Sequence, residues 1–217
     1  MTNSSGLGMT SDRTRLRMVS KIKSEGISNR FVLSALESVP RHLFVDEAMN
    51  SRSYDMVSLP IGYGQTISHP YIVARLCELA LPTIPVHRVL DVGTGCGYQA
   101  AVLSKLAGEV FSIERNLNLL TGARVRLKKM GFDNIRVRHG DGFVGLGEMA
   151  PFDAIIVAAA AEEIPLSLTR QLKEGGVLVI PIGKHVQKLT TITRENSDST
   201  IKTFEEVKFV PLLSGTI

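Results

Sequence analysis

The chain has 217 residues, of which 44% are hydrophobic and 21% charged, with a formal charge of +4. This balance fits a globular protein with one sizeable core and excludes a bilayer-spanning helix, which needs roughly 18 consecutive apolar residues. Cys77 and Cys96 make neither a disulfide framework nor a zinc site, and the opening MTNSSGLGMTSDRTR lacks the apolar run of a secretory signal, so a cytoplasmic protein is expected.

Residues 1–10 read as a flexible terminus. From Ser11 to Ser24, Leu16, Val19 and Ile22 recur at helical spacing, and Gly26 can end that helix. Asn29 can cap a second helix that runs through Val39 and is stopped by Pro40. Residues 41–67 look irregular, with Gly62 and Gly64 in the run LPIGYGQTIS. A third helix is predicted from about Pro70 to Ala80. The texture changes after Pro82 and Pro85. Strand Val86–Val92 leads into the Gly-rich turn Gly93–Gly97, followed by helix Tyr98–Ala107, strand Val110–Ile113, helix Leu117–Met130 and strand Ile135–Arg138. Then come strand Phe152–Ala158, helix Ile164–Leu172 ended by Gly175-Gly176, and strand Val177–Pro181. Arg124–Lys129 (RVRLKK) is the nearest thing to a basic run. It falls on one helix as a solvated face, so no nucleic-acid partner is expected. Gln187–Arg194 and Ile201–Phe209 alternate apolar and polar residues around a turn at Glu195–Thr200, as an antiparallel edge pair would.

Alternation of strand and helix from 86 to 181 is the signature of a parallel sheet. The predicted fold is α/β: a doubly wound, mostly parallel sheet with an antiparallel edge pair and an N-terminal helical extension. Residues 11–217 read as a single domain, with 11–82 as the extension, 86–181 as the nucleotide-binding core and 187–217 as the edge strands. A monomer is expected.

The turn after the first strand reads Asp91-Val-Gly93-Thr94-Gly95-Cys96-Gly97-Tyr98. Glycines there let a ligand approach the backbone, and the helix that follows offers free N–H donors. A tight turn without a ligand would use the same residues. The dinucleotide fingerprint G-x-G-x-x-G places its third glycine where Tyr98 stands here. Acids sit at three strand ends: Asp91, Glu114 and Asp141. Carboxylates would repel a diphosphate but suit ribose hydroxyls, an exocyclic amine and a sulfonium. That combination is S-adenosylmethionine. Glu114 follows the glycines near the ~20-residue offset of a ribose-binding carboxylate, and Asp141 and Gly142 are placed to meet the adenine. After Phe152–Ala158 the chain carries Ala159-Ala160-Ala161-Glu162-Glu163, a loop short of bases. Such a loop permits an acceptor that is already anionic, such as a carboxylate with its reference pKa of about 4.

Several segments carry a family resemblance: Gln65-Thr-Ile-Ser-His-Pro-Tyr-Ile-Val-Ala-Arg75, Val89-Leu-Asp-Val-Gly-Thr-Gly-Cys-Gly-Tyr-Gln-Ala-Ala-Val-Leu103, Val110-Phe-Ser-Ile-Glu-Arg115, His139-Gly-Asp-Gly142, Ala150–Val157 and Phe209-Val-Pro-Leu212. In content and order these resemble protein-L-isoaspartate O-methyltransferases, from about residue 12 to 217. The Gln-Thr-Ile-Ser-x-Pro segment discriminates this family from other methyltransferases of the Rossmann-like class I type.

The resemblance implies methyl transfer from S-adenosylmethionine to the free α-carboxylate of L-isoaspartyl residues in damaged proteins, with S-adenosylhomocysteine as the product and no metal. The alternative from sequence is a methyltransferase of another substrate class, small molecule or RNA. A nicotinamide-dependent oxidoreductase and a non-catalytic binding module stand further off. The resemblance also implies that Ser68 lies in the active site and that Gln65, Thr66 and Ile67 line the cofactor and substrate pocket. Cofactor contacts are expected from Gly93, Thr94, Gly95, Cys96, Gly97, Glu114, Asp141 and Gly142, and substrate contacts from Ile67, Ser68 and the main chain of Val210. Ser68 would hold the acceptor carboxylate, although a serine before His-Pro is also a good helix N-cap. His69 and His139 read as surface or loop histidines. One departure stands out: the family often carries Thr-Ala-Ala-Pro where this chain has Ala158-Ala159-Ala160-Ala161.

Overall fold

Side-chain caps start each of the N-terminal helices. The structure, a computed structural model, describes residues 8–81, 86–196 and 198–217. Most of the expected flexible terminus and the change at Pro82 and Pro85 lie outside the described residues, while Gly8–Thr10 form a short 3-10 turn. Helix α1 (Asp12–Ser24) begins where the Ser11 hydroxyl accepts from the Thr14 N–H, and it buries Met18, Val19 and Ile22. Helix α2 (Arg30–Ser38) begins where the Asn29 side chain accepts from the N–H groups of Phe31 and Val32. It stops before Pro40, which has no N–H with which to continue.

The segment 41–67 is more ordered than its sequence predicts. It holds two 3-10 turns, Arg41–Phe44 and Glu47–Arg52, and an antiparallel ribbon of β1 (Leu59–Gly62) and β2 (Gln65–Ile67). The two residues joining these strands, Tyr63 and Gly64, have φ of 53° and 69°. Positive φ at both central positions is what a two-residue hairpin needs to match the strand twist. Strands this short leave no readable alternation. Helix α3 (Pro70–Ala80) follows.

The main sheet then takes β3 (Val86–Val92), helix α4 (Tyr98–Leu103), β4 (Ala107–Glu114), helix α5 (Leu117–Lys129) and β5 (Ile135–His139). After these come β6 (Phe152–Val157), helix α6 (Leu166–Thr169), β7 (Leu172–Ile182), β8 (Gln187–Glu195) and β9 (Asp198–Val207). The strand order is β5-β4-β3-β6-β7-β8-β9. Pairs from β5 to β7 are parallel, and β8 and β9 are antiparallel additions. The predicted mostly parallel sheet with an antiparallel edge pair is therefore the observed one. The winding reverses beside β3, since β4 lies on one side of it and β6 on the other. Ligands of open α/β sheets bind at such a switch point.

Two helices are shorter than expected. The one predicted to run to Ala107 ends at Leu103, and β4 already begins at Ala107. The helix predicted over Ile164–Leu172 is a single turn, because Leu172 pairs with Phe152 in the sheet. Gly175 and Gly176, expected to close that helix, lie inside β7. Gly175 has φ 72°, and a Cβ on Gly176 would stand 2.9 Å from the Lys173 carbonyl oxygen.

Neighbouring residues of the central strands feed opposite sides of the core. Val89, Ala154 and Ile156 pack with α1–α5, whereas Leu90, Ile155 and Val157 pack with Leu168 of α6 and Phe111. Burial on both faces explains why Val89-Leu90 of β3 and Ala154–Val157 of β6 are consecutive apolar residues rather than an apolar–polar alternation. No helix among the described residues is long and apolar enough to cross a membrane.

Candidate active site

The turn that opens at the end of β3 needs its glycines for different reasons. Gly93, Gly95 and Gly97 have φ of 96°, 52° and 90°, values that residues with a Cβ rarely adopt. A Cβ on Gly95 would lie 3.2 Å from Ile61 Cδ1, so the β1–β2 ribbon closes over the turn. Gly97 instead faces Leu127 and Ala123 of α5 and does not line the cavity described below. Arg126 Nη1 donates to the Cys96 carbonyl at 2.9 Å. One member of the RVRLKK face is thus turned inward to hold the turn, and the rest of that face is largely solvated. Burial pushes the thiols of Cys77 and Cys96 up, which keeps both protonated.

The three strand-end acids do different work. Asp91 is fully buried and accepts from Gln99 Nε2 at 2.8 Å and Ser112 Oγ at 2.7 Å. Desolvation pushes its carboxyl up to about 6, against the pull of those two donors. It sits beneath the turn and outside the cavity wall. Glu114 lies on the wall, accepting from the Gly95 N–H and the Asn116 N–H, both at 2.9 Å. This ties the end of β4 to the glycine turn. Asp141 accepts from the N–H groups of Phe143 and Gly215 at 2.8 and 2.6 Å; Gly142, not Asp141, lines the cavity. A Cβ on Gly142 would come 2.7 Å from Val92 Cγ1.

On the opposite wall, β2 delivers Gln65, Thr66, Ile67 and Ser68. The helix-capping alternative for Ser68 is overturned. His69 is the N-cap of α3, and its Nδ1 accepts from the Tyr71 N–H at 3.1 Å. Ser68 makes its only hydrogen bond among the described residues through its carbonyl, to Arg41 Nη2 at 2.6 Å, so its hydroxyl is uncommitted. His69 is half-buried and lines the cavity, and burial lowers its pKa. His139 is exposed, its Nε2 3.0 Å from the Arg115 carbonyl oxygen.

The alanine loop after β6 is fastened on two sides. Ala160 and the 210–212 segment exchange two backbone bonds, Ala160 N–H to Val210 O at 2.8 Å and Leu212 N–H to Ala160 O at 2.7 Å. Ala161 donates to Pro181 O at 3.0 Å and accepts from the Gly183 N–H at 2.9 Å. A proline at position 161 could not make the first of these. Backbone pairing thus replaces the stiffening that the family's proline would supply.

Together these elements enclose a cavity of about 600 Å³. Of the residues expected from sequence, Gln65, Thr66, Ile67, Ser68, Gly93, Thr94, Gly95, Cys96, Glu114, Gly142 and Val210 line it, and Gly97 and Asp141 do not. Sequence reading missed Tyr71, Gln99, Asn116 and Lys208 on the wall. Asn116 had a signal, since it caps α5 two residues after Glu114. Gln99 leaves its Oε1 without a partner among the described residues. A carboxylate, a spare amide oxygen and close-packed glycines fit a ligand with hydroxyls, an amine and a positive charge better than one with phosphates.

A parallel sheet reversing at β3, a G-x-G-x-G turn there in place of the dinucleotide fingerprint, a carboxylate at the end of the next strand and an antiparallel edge pair fit the Rossmann-like class I fold of S-adenosylmethionine-dependent methyltransferases. The family model for protein-L-isoaspartate(D-aspartate) O-methyltransferase matches residues 13–216. The chain is 52% identical over 216 residues to the protein-L-isoaspartate O-methyltransferase of Methylobacillus flagellatus, covering 98% of this chain and 97% of that protein. It is 51% identical over 217 residues to that of Halorhodospira halophila, covering 99% and 98%. A solved protein-L-isoaspartate O-methyltransferase superposes with a TM-score of 0.83 at 27% identity, over 91% of this chain and 65% of that longer one. A Plasmodium falciparum beta-aspartate methyltransferase in complex with S-adenosyl-L-homocysteine superposes with a TM-score of 0.81 at 28% identity, over 92% and 98%. The chain belongs to the protein-L-isoaspartate(D-aspartate) O-methyltransferase family.

Proposed function

We propose that the chain repairs proteins by methylating the free α-carboxylate of L-isoaspartyl residues, with Ser68 holding the acceptor. The carrying observation is that Ser68 lies on the cavity wall with its hydroxyl uncommitted while His69 takes the capping work. When bound, S-adenosylmethionine supplies an electrophilic methyl group on a cationic sulfur, and the C–S electron pair stays on sulfur as the acceptor oxygen bonds to the methyl carbon.

The chain's own residues have little proton chemistry to do, because a carboxylate is ionised at neutral pH. Their task is alignment and exclusion of water. Ser68 donates to the carboxylate oxygen that does not attack. Glu114, already fixed by two backbone N–H groups, keeps lone pairs for the ribose hydroxyls. Gly142 leaves room for the adenine, and Asp141, behind the wall, holds that turn by accepting from the N–H groups of Phe143 and Gly215. Gly93, Thr94, Gly95 and Cys96 follow the methionine portion with their backbone, and Gly97 shapes the turn from behind. Gln65, Thr66 and Ile67 close the opposite wall. Val210 contacts the substrate main chain through its N–H, since its carbonyl is committed to Ala160. In the neutral ester product the neighbouring backbone amide nitrogen attacks the ester carbonyl and methanol leaves as the succinimide closes, and hydrolysis of that ring returns part of the damaged residue to aspartate.

We read the enzyme as a cytoplasmic monomer acting without nucleic acid. The test pairs peptides that differ only in an aspartyl or isoaspartyl linkage, incubated with labelled S-adenosylmethionine. Label confined to the isoaspartyl peptide is expected, and equal labelling of both, or of neither, refutes the proposal.

A further inference from the structure

The largest fully buried side chain among the described residues belongs to a cation, Arg41, whose exposure is 0%. Its Nε donates to the Ser53 carbonyl at 2.9 Å and its Nη2 to the Ser68 carbonyl at 2.6 Å. The guanidinium carbon lies 4.8 Å from the centroid of the Tyr98 ring. No carboxylate among the described residues pairs with it; the Tyr98 hydroxyl is the polar side chain that most favours its charge, and neither that hydroxyl nor Nη1 makes a hydrogen bond of ordinary geometry. Ser68 and Tyr98 line the cavity, so the guanidinium stands one side-chain layer behind the wall at the Ser68 end. Burial draws its pKa down from the ordinary arginine value, yet arginine stays protonated in proteins.

An unpaired buried ion is among the most unfavourable features a fold can carry. Binding two carbonyls does not explain it, because neutral donors would serve. The missing partner is an anion, and the reaction brings one. We propose that Arg41 is a positioning residue for the acceptor: it fixes Ser68 from behind, and its charge draws the incoming carboxylate to the Ser68 end of the cavity. This inference rests on the reading that the acceptor is a carboxylate.

The charge balance of the transfer gives the device a second effect. The carboxylate and sulfonium charges cancel as the O–CH3 bond forms and the S–CH3 bond breaks, and no proton moves. After transfer the acceptor is a neutral ester, so the attraction to Arg41 ends with the chemistry. The same cation therefore favours binding of substrate and release of product.

The test uses the full chain with three ligands: an isoaspartyl peptide, its α-carboxamide analogue as a neutral isostere, and S-adenosylhomocysteine. In the wild type the carboxylate peptide should bind at least roughly tenfold more tightly than the carboxamide, as expected for a desolvated charge contact. Arg41→Met should bring that ratio towards one while leaving S-adenosylhomocysteine affinity within about twofold, and Arg41→Lys should restore part of it. A wild-type ratio retained in Arg41→Met overturns the inference and leaves Arg41 as scaffold only. Should neither Arg41 variant fold, Ser68→Ala decides. Discrimination persisting above roughly threefold in that variant supports the buried charge, and its complete loss shows that the hydroxyl alone reads the carboxylate. Failure of the wild type to prefer isoaspartyl over aspartyl peptides is a separate result and refutes the proposed function instead.

Discussion

Asp91 offers a sharp test of how the cofactor turn is held. Its carboxyl is fully buried, and desolvation raises it from 3.8 to about 6. Between those values the folded protein keeps a proton that the unfolded chain has released. The stability linked to Asp91 is therefore fully present below about pH 4 and declines as pH rises through about 6. With ~1.4 kcal/mol for each unit of displacement, the decline amounts to about 3 kcal/mol. Asp91→Asn removes the titration and preserves the packing. Its amide oxygen can still accept from Gln99, and its NH2 can donate to Ser112 Oγ. The Ser112 hydrogen can then turn to Thr94 Oγ1, already 2.6 Å away. Relative to wild type, the variant should gain about 3 kcal/mol of stability between about pH 4 and 7. The chain has no tryptophan, so urea unfolding is best followed by circular dichroism. A difference between variant and wild type that does not change with pH would refute the reasoning, because it would mean that Gln99 and Ser112 fully offset the desolvation.

Three further outcomes follow from the site geometry. Ser68→Ala should lower turnover on isoaspartyl peptide by roughly 10- to 100-fold, the loss of one hydrogen bond to a charged group, with S-adenosylhomocysteine affinity unchanged. Normal turnover together with weakened cofactor binding would remove Ser68 from the acceptor site. His69→Ala deletes the α3 cap and should cost about 1 kcal/mol, seen as a melting point lower by about 2–4 °C; an unchanged melting point counts against the cap. In Gly142→Ala the new methyl would meet Val92 Cγ1 at 2.7 Å and Leu212 Cδ1 at 3.2 Å. A loss of about 1–3 kcal/mol in stability, with weaker S-adenosylhomocysteine binding by calorimetry, is expected, and wild-type values for both would show that the wall yields.

Elements with a local signature were legible. The caps Ser11 and Asn29 mark the starts of α1 and α2, and the apolar runs of β3 and β6 mark strands buried on both faces. The glycine turn and Glu114 announce a cofactor site because their chemistry is carried by residues close in the chain. The errors fall where a distant partner overrides a local pattern. The Ile164–Leu172 periodicity reads as a helix, yet Leu172 is claimed by Phe152 in the sheet. The β1–β2 ribbon has strands too short to show alternation, and its turn depends on a tyrosine at positive φ. Arg126 reads as one more solvated cation of RVRLKK until its bond to the Cys96 carbonyl is seen.

Hydrophobic period by itself determined the α/β class, and the resemblance of the motifs in their order pointed to the family and to Gln65–Ser68 as a wall of the cavity, since each signal is carried by residues a few positions apart. The distribution of labour within the site was decided only by the fold. Whether Asp91 faces a ligand or lies beneath the turn, whether Ser68 or His69 caps α3, and whether Arg41 meets a carboxylate all depend on which distant groups reach each atom first. Hydrogen-bonding capacity is finite, and only the tertiary structure shows which donors and acceptors are already committed and which remain for the substrate.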